Sequence, residues 1–301
     1  MATSPYTIVT LKNGKEKPGR IHHPWVFSGA VERLNRAPGS GELVEVQEHN
    51  GTFVAYGYYN PKSQIVARLL TWNQDERIND EWWIRRLSES IARRADLLNN
   101  GTTDAVRLVH AEADGLPGLV VDKFADLLVL QAQTAGIDRV KQLVTKHLQS
   151  NFNPTCILER TDPHARSLEG LPPARGPLEG PNPPMQITIE EHGRRFLVDV
   201  LRGQKTGFYL DQRENRRVVG TYAKDCDVLD CFAYTGGFTV HAMVNGAKTI
   251  TSIESSAPAV QLMRKNIDLN CGSKKPITLI CDNVFERLRL FRDEGRQFDV
   301  V

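Results

Sequence analysis

Asp230-Cys231-Phe232-Ala233-Tyr234-Thr235-Gly236-Gly237-Phe238 closes an apolar run that begins at Asp227 and opens a helical pattern through Val240–Val244, stopped by Gly246. Strand, glycine turn and helix make one βα unit, and two more follow. Thr249–Glu254 predicts the next strand; Ser256 predicts an N-cap with Pro258 in the first turn, and Val260, Met263 and Ile267 mark a buried helix face. Ile277–Cys281 predicts a third strand, Val284–Arg292 a third helix, and Phe298–Val301 the start of a fourth strand. This alternation predicts a doubly wound, largely parallel sheet. With a strand pair at Gln186–Glu190 and Arg195–Leu201 in front, an α/β domain is expected over residues 186–301.

In such sheets a ligand sits beyond the carboxyl ends of the strands, near the switch point. The turn is not G-x-G-x-x-G: Phe232 and Tyr234 stand where a dinucleotide's pyrophosphate would want bare backbone. Gly236 and Gly237 still let the chain pass tightly beneath a ligand. A nucleoside without phosphate fits better, and S-adenosylmethionine is the common one. Glu254 ends the second strand, where a carboxylate can take both ribose hydroxyls, and Asp282 and Asn283 end the third, within reach of an adenine edge. Asp230 suits the positive sulfonium and ammonium. The bland alternative for each acid is a helix cap. Cys231 and Cys281 read as small core residues, since nothing near them in sequence lowers a thiol pKa.

Working back toward the start, residues 170–184 hold six prolines and three glycines and read as a linker or surface loop. A hairpin-rich α+β domain is expected over 76–185, with Val106–His110, Leu119–Asp122 and Leu127–Gln131 as its apolar strands and a helix from Asp80, as cap, through Leu98. Short strands at Tyr6–Leu11, Leu43–Glu48, Phe53–Tyr59 and Ile65–Trp72, parted by glycines and Asn60-Pro61, predict a small β-barrel over 1–75.

Composition narrows the classes. Apolar content of 40% and charged content of 25% are those of an ordinary globular chain, and a net charge of +2 decides nothing about nucleic acid. No apolar run is long enough for a membrane helix, and the start has no signal-peptide pattern. Five scattered cysteines form no metal-ligand spacing and suit free thiols in a reducing cytosol; no metal site is expected.

These residues resemble the ribosomal RNA large-subunit methyltransferase I family, whose members make 5-methylcytosine in 23S ribosomal RNA. His23-Pro24-Trp25-Val26-Phe27-Ser28-Gly29-Ala30 is similar to the family's amino-terminal PUA domain, and Glu112-Ala113-Asp114-Gly115-Leu116-Pro117-Gly118-Leu119 to its second region. Lys205-Thr206-Gly207-Phe208-Tyr209-Leu210-Asp211-Gln212-Arg213 and the Asp230–Phe238 turn are the most specific matches. The resemblance implies a Rossmann-like class I methyltransferase domain behind a PUA-type barrel and a small α+β domain. It also implies S-adenosylmethionine as cofactor, with Tyr209, Asp211, Gln212 and Arg213 lining its site beside Asp230, Phe232, Tyr234, Gly236, Gly237, Glu254, Asp282 and Asn283. The expected partner is 23S ribosomal RNA in the cytoplasm, with no membrane; a homodimer is left open.

The family's fourth strand leads into an Asp-Pro-Pro-Lys-Phe-type motif and later to a nucleophilic cysteine, and neither is in this sequence. Attack of a thiolate on C6 is what makes C5 of cytosine nucleophilic. The catalytic residues are therefore expected beyond Val301, and the chain as given is expected to have an incomplete sheet and no turnover. For RNA, Lys15, Lys17, Arg20 and His23 precede Trp25 and Phe27 and combine charge with stacking surface; the helical Arg85, Arg86, Arg93 and Arg94 read as a solvated face. Three rivals stand beside this reading: an NAD(P)-dependent oxidoreductase, a guanine-N2 ribosomal RNA methyltransferase, and a non-catalytic RNA-binding protein.

Overall fold

Runs of Val, Ile, Thr and Tyr, parted by turn residues, drive the amino-terminal part into strands. In the computed structural model, which describes residues 5–272 and 276–301, β1 (Thr7–Leu11) precedes a single helical turn α1 (Lys17–Arg20), then β2 (Trp25–Phe27), β3 (Val31–Leu34), β4 (Glu42–Gln47), β5 (Phe53–Tyr59) and β6 (Ile65–Thr71). These form a six-stranded sheet ordered β2-β6-β5-β4-β1-β3 over a core that includes Val9, Leu11, Val44, Val46 and Leu69. The four strands expected here are present; β2 and β3 are additional, and too short to show an alternation.

The single helix expected from Asp80 to Leu98 is two, α2 (Asp80–Ala92) and α3 (Ala95–Asn99), and its cap is Asn79, whose side chain accepts from Trp82 N. After β7 (Ala105–His110), β8 (Leu119–Phe124) and β9 (Leu127–Ala132) comes a helix with no counterpart in the expectations, α4 (Ala135–Phe152). Then follow β10 (Cys156–Arg160), α5 (Pro163–Leu168) and β11 (Arg175–Glu179), giving a five-stranded sheet ordered β11-β10-β9-β8-β7. β11 corrects the reading of 170–184 as loop throughout: Pro177 pairs opposite Leu158 on an edge strand, where a missing donor is tolerated. The arginines of α2 and its end are not merely solvated. Arg85 and Arg86 pair with Glu89, and Arg93 and Arg94 reach the buried Asp114.

The described residues divide into two compact units: residues up to Asp96 with Arg107–Pro183, and Leu97–Val106 with Pro184–Val301. The expected 1–75 region and most of the expected 76–185 region fall in the first unit, while 97–106 and 184–185 fall in the second.

In the second unit an antiparallel pair, β12 (Gln186–Glu191) and β13 (Arg194–Asp199), leads to α6 (Arg213–Tyr222). The repeating units follow: β14 (Asp227–Cys231), α7 (Gly237–Val244), β15 (Thr249–Glu254), α8 (Ala257–Cys271), β16 (Ile277–Cys281) and α9 (Val284–Asp293). The sheet is parallel and ordered β14-β15-β16. Alternate residues bury to opposite faces. Val228 and Ile250 pack with Ala223, Ala242 and Met243, while Leu229 and Ile253 pack with Val284 and Phe291. β14 and β15 are buried on both faces, as in a covered parallel sheet, whereas β16 is half-buried or exposed along its length. Of the fourth strand expected at Phe298–Val301, the structure has one parallel bridge, Val228 to Val300, with Leu229 N donating to Val300 O at 2.9 Å. That bridge sits on the far side of β14 from β15, so the lateral order reverses at β14, the switch point where such sheets open a crevice.

Candidate cofactor-binding site

β14 delivers the chain to a turn in which Phe232 (φ 59°) and Tyr234 (φ 48°) are both left-handed, a conformation side chains rarely adopt. Gly236 (φ 81°) and Gly237 open α7. A Cβ on Gly237 would come within 2.7 Å of Arg216 Cδ, so the glycine there is a matter of space. Tyr234 ties three segments together. Its backbone N donates to Glu254 Oε2 (3.0 Å), while its hydroxyl donates to Gly207 O (3.0 Å) and accepts from Gln204 N (2.8 Å). Tyr209 stands edge-on to the Tyr234 ring at 5.5 Å and donates its hydroxyl to Gln204 Oε1 (2.6 Å).

These segments enclose a cavity of about 550 Å³ at the carboxyl ends of β14 and β15. Of the residues expected at a cofactor, Tyr209, Asp211, Gln212, Phe232, Tyr234, Gly237 and Glu254 line it. Sequence reasoning missed Gln204, Phe208, Arg216, Thr235, Phe238 and Ser255. Thr235 is buried, and its Oγ1 has no hydrogen-bond partner among the described residues. Glu254 reaches the cavity while both its oxygens already hold backbone: Oε1 accepts from Ser256 N (2.8 Å) and Oε2 from Tyr234 N. Oε1 also accepts from Ser255 Oγ (3.4 Å), while Oε2 keeps a second lone pair for a ligand hydroxyl.

Five expected residues do not line the cavity. Asp230 is buried beneath the turn, where its Oδ2 accepts from Thr239 N (3.0 Å) and Thr239 Oγ1 (2.6 Å), so it caps α7. Burial pushes its carboxyl up to about 6, against the two Thr239 bonds and helped by the charge of Glu254. Gly236 is turned toward Met263. Arg213 begins α6 with its Nε 3.5 Å from Glu214. Asp282 is drawn away by Arg287, whose Nη2 donates to Oδ2 at 2.6 Å, and the same bond holds its carboxyl below the usual range. Asn283 caps α9 by accepting from Phe285 N. At the third strand tip, the cap is what the structure contains.

Arg216 is the residue most worth having anticipated. It lies on the α6 face one turn after Arg213, and a helical spacing of three would have pointed to it. Its Nε and Nη2 donate to Glu191 (2.8 and 2.6 Å), its Nη1 donates to Tyr209 O (2.9 Å), and its guanidinium lies 4.5 Å over the Phe208 ring. His241 Nε2 is 3.3 Å from the same Glu191. Burial alone would raise the Glu191 carboxyl, but the bonds from His241 and Arg216 prevail and hold it near 2. Among the described residues Arg216 is the one cation lining the cavity, and it is consumed by structure.

In the first unit, the stretch proposed from sequence for RNA is exposed at Lys15, Lys17, Arg20 and His23. Arg20 is bidentate to Glu48 (2.6 and 2.7 Å), which cancels its charge locally. His23 is edge-on to Trp25, and Phe27 is half exposed outside the barrel core.

Residues 9–72 match the family of PUA-like domains and residues 176–301 that of S-adenosylmethionine-dependent methyltransferases. A ribosomal RNA large subunit methyltransferase I from Klebsiella pneumoniae (strain 342) is 40% identical over 301 residues, the whole of this chain and 75% of the relative. The chain belongs to the ribosomal RNA large subunit methyltransferase I family. Solved structures agree on the fold. A protein described as a methyltransferase, complexed with SAH, superposes with a TM-score of 0.84 at 20% identity over 97% of this chain and 74% of that one. A protein described as a SAM-dependent methyltransferase from Streptococcus mutans gives 0.82 at 20% identity over 97% and 75%. The resemblance read from the motifs therefore holds, as does the α/β class with a PUA-like domain ahead of a Rossmann-like one. As a member of the ribosomal RNA large subunit methyltransferase I family, the chain is an S-adenosylmethionine-dependent ribosomal RNA methyltransferase. Among the described residues no helix is long and apolar enough to cross a membrane.

Proposed function

We propose that the cavity beside Gly236-Gly237 holds S-adenosylmethionine for methylation of a cytosine C5 in 23S ribosomal RNA, in the cytoplasm. The observation that carries this is the polarity of the wall. Acids (Asp211, Glu254) and aromatic rings (Phe208, Tyr209, Phe232, Tyr234) surround the space, while Arg216, its one cation among the described residues, is spent on Glu191. Such a wall has no grip for a pyrophosphate, but it fits an adenosine joined to a cationic sulfonium. When bound, the cofactor supplies an electrophilic methyl group. The protein's share is to bind and orient it. Glu254 accepts from ribose hydroxyls, the ring faces take the adenine, and Thr235 Oγ1 offers a hydroxyl that lacks a partner in the protein. Asp230 serves the site from below, by fixing the start of α7 and by placing negative charge under the turn.

C5 chemistry also needs a thiolate at C6. No cysteine lines the cavity; burial, with the Asp230 charge, pushes the Cys231 thiol up, and Cys281 donates to Ser255 O at 3.6 Å. The chain of 301 residues is therefore proposed to bind cofactor without turning over. Titration calorimetry tests this: S-adenosylhomocysteine should bind, NAD should not, and Glu254→Ala should weaken binding by roughly tenfold, the worth of one charge-assisted hydrogen bond. Unmodified 23S ribosomal RNA incubated with labelled donor should yield no 5-methylcytidine on nucleoside mass analysis. A preference for the dinucleotide would overturn the cofactor assignment, and 5-methylcytidine would overturn the proposed lack of turnover.

A further inference from the structure

The first unit has a cavity of its own, about 640 Å³, and two motifs that the cofactor site leaves unused meet there. From the His23–Ala30 stretch comes Trp25, and from the Glu112–Leu119 stretch comes Glu112; Trp25 Nε1 donates to Glu112 Oε1 at 2.9 Å. Beside Trp25, and paired with it across β2 and β6, is Arg68, 9% exposed. Its Nη2 donates to Glu169 Oε1 (2.7 Å), but its Nε and Nη1 are buried with no hydrogen-bond partner among the described residues. Glu169, by contrast, is fully engaged, taking Asn60 Nδ2 (2.8 Å) and Ala135 N (3.3 Å) on its other oxygen. A buried cation with unmet donors is costly to keep unless a ligand oxygen meets them. Lys62 stands exposed at the rim and makes no ion pair among the described residues.

We propose that this cavity is a subsite for one unpaired nucleotide of the RNA substrate. Its base lies against Trp25, and its phosphate and base oxygens meet Lys62 and Arg68. The proposal rests on the reading of RNA as substrate. Single-stranded RNA is recognised by stacking splayed bases on aromatic rings and by hydrogen bonding their edges. Trp25 is half-buried, flanked edge-on by His23 at 5.6 Å and by the exposed Phe27 at 6.4 Å, which extends the stacking surface outward. Glu112 is an acceptor for an exocyclic amine. A volume of this size falls within the range of pockets for single small ligands. A duplex, whose bases are stacked inside, could place only its backbone there.

The experiment is fluorescence anisotropy of the whole chain with a short fluorescein-labelled single-stranded RNA and with the same strand annealed to its complement. Wild type should bind the unpaired strand more tightly. Lys62→Glu and Trp25→Leu should each weaken that binding by roughly tenfold; Trp25→Leu should leave the duplex affinity as in wild type, and both should leave the unfolding temperature and the S-adenosylhomocysteine affinity unchanged. Glu112→Gln, which keeps an acceptor for Trp25, should weaken oligocytidine more than oligouridine. If wild type binds RNA and Lys62→Glu binds it equally well, the subsite falls while the substrate reading stands; equal losses on duplex and single strand for Trp25→Leu sink it too. If wild type binds no RNA at all, both fall together, and the cofactor assay remains an independent measure of the other half.

Discussion

Arg216 lines the cavity of the second unit and Arg68 that of the first, and both are buried against a glutamate. Arg216 spends its Nε, Nη1 and Nη2 on Glu191 and the Tyr209 carbonyl. Arg68 makes one bond to Glu169 and keeps Nε and Nη1 unmatched. Burial, charge and residue type are the same; what separates scaffold from site is how many donors the protein itself has used.

The sharpest way to break that contrast is to remove both guanidinium groups. Arg216→Met leaves the buried Glu191 with only His241 beside it and should cost about 3–5 kcal/mol in urea unfolding. Arg68→Met should cost distinctly less, because Glu169 keeps Asn60 and Ala135 N. Equal losses would erase the distinction.

A smaller effect concerns charge under the glycine turn. Asp230 titrates near 6 in the fold, against an ordinary 3.8. A carboxyl raised in this way contributes stability that is present below its unfolded value and lost as pH rises through about 6. Relative to Asp230→Asn, wild type should therefore gain about 2 kcal/mol as pH falls from about 7 to about 4. Denaturation midpoints of both proteins across that window check it, and parallel curves would show that Asp230 does not titrate there.

The smallest effect is at Tyr234. Tyr234→Phe deletes the hydroxyl bonds to Gly207 O and Gln204 N, worth about 1 kcal/mol each. The loop should loosen and S-adenosylhomocysteine bind roughly tenfold more weakly by calorimetry. An unchanged affinity would mean that the loop holds its place without Tyr234.

What the sequence revealed follows the physics of each element. Thr249–Glu254 and Ile277–Cys281 are legible to the residue because isoleucine and β-branched threonine recur in each between bounding polar and proline residues. α4 is hidden because it opens on Ala135-Gly136, and that glycine is there for Tyr58: a Cβ on it would overlap the ring. A tertiary contact thus gives a helix start the look of a loop. At the strand tips, Glu254 and Asp282 are indistinguishable by spacing. Arg287, about one helical turn beyond Asp282, separates them, because it claims the carboxylate while Glu254 meets no cation and holds two backbone amides and the Ser255 hydroxyl among the described residues. Buried pairing such as Arg216–Glu191 joins residues 25 positions apart and has no local signature.

The left-handed Phe232 and Tyr234 have a consequence for how tightly anything can be held. Backbone in that region costs on the order of 1–3 kcal/mol per residue and survives only where its surroundings dictate it. Here β14, α7 and the Glu254 carboxylate do the dictating. The turn's conformational freedom is surrendered when the chain folds, not when a guest arrives, so the cavity floor is preorganised and association loses no further entropy in shaping it.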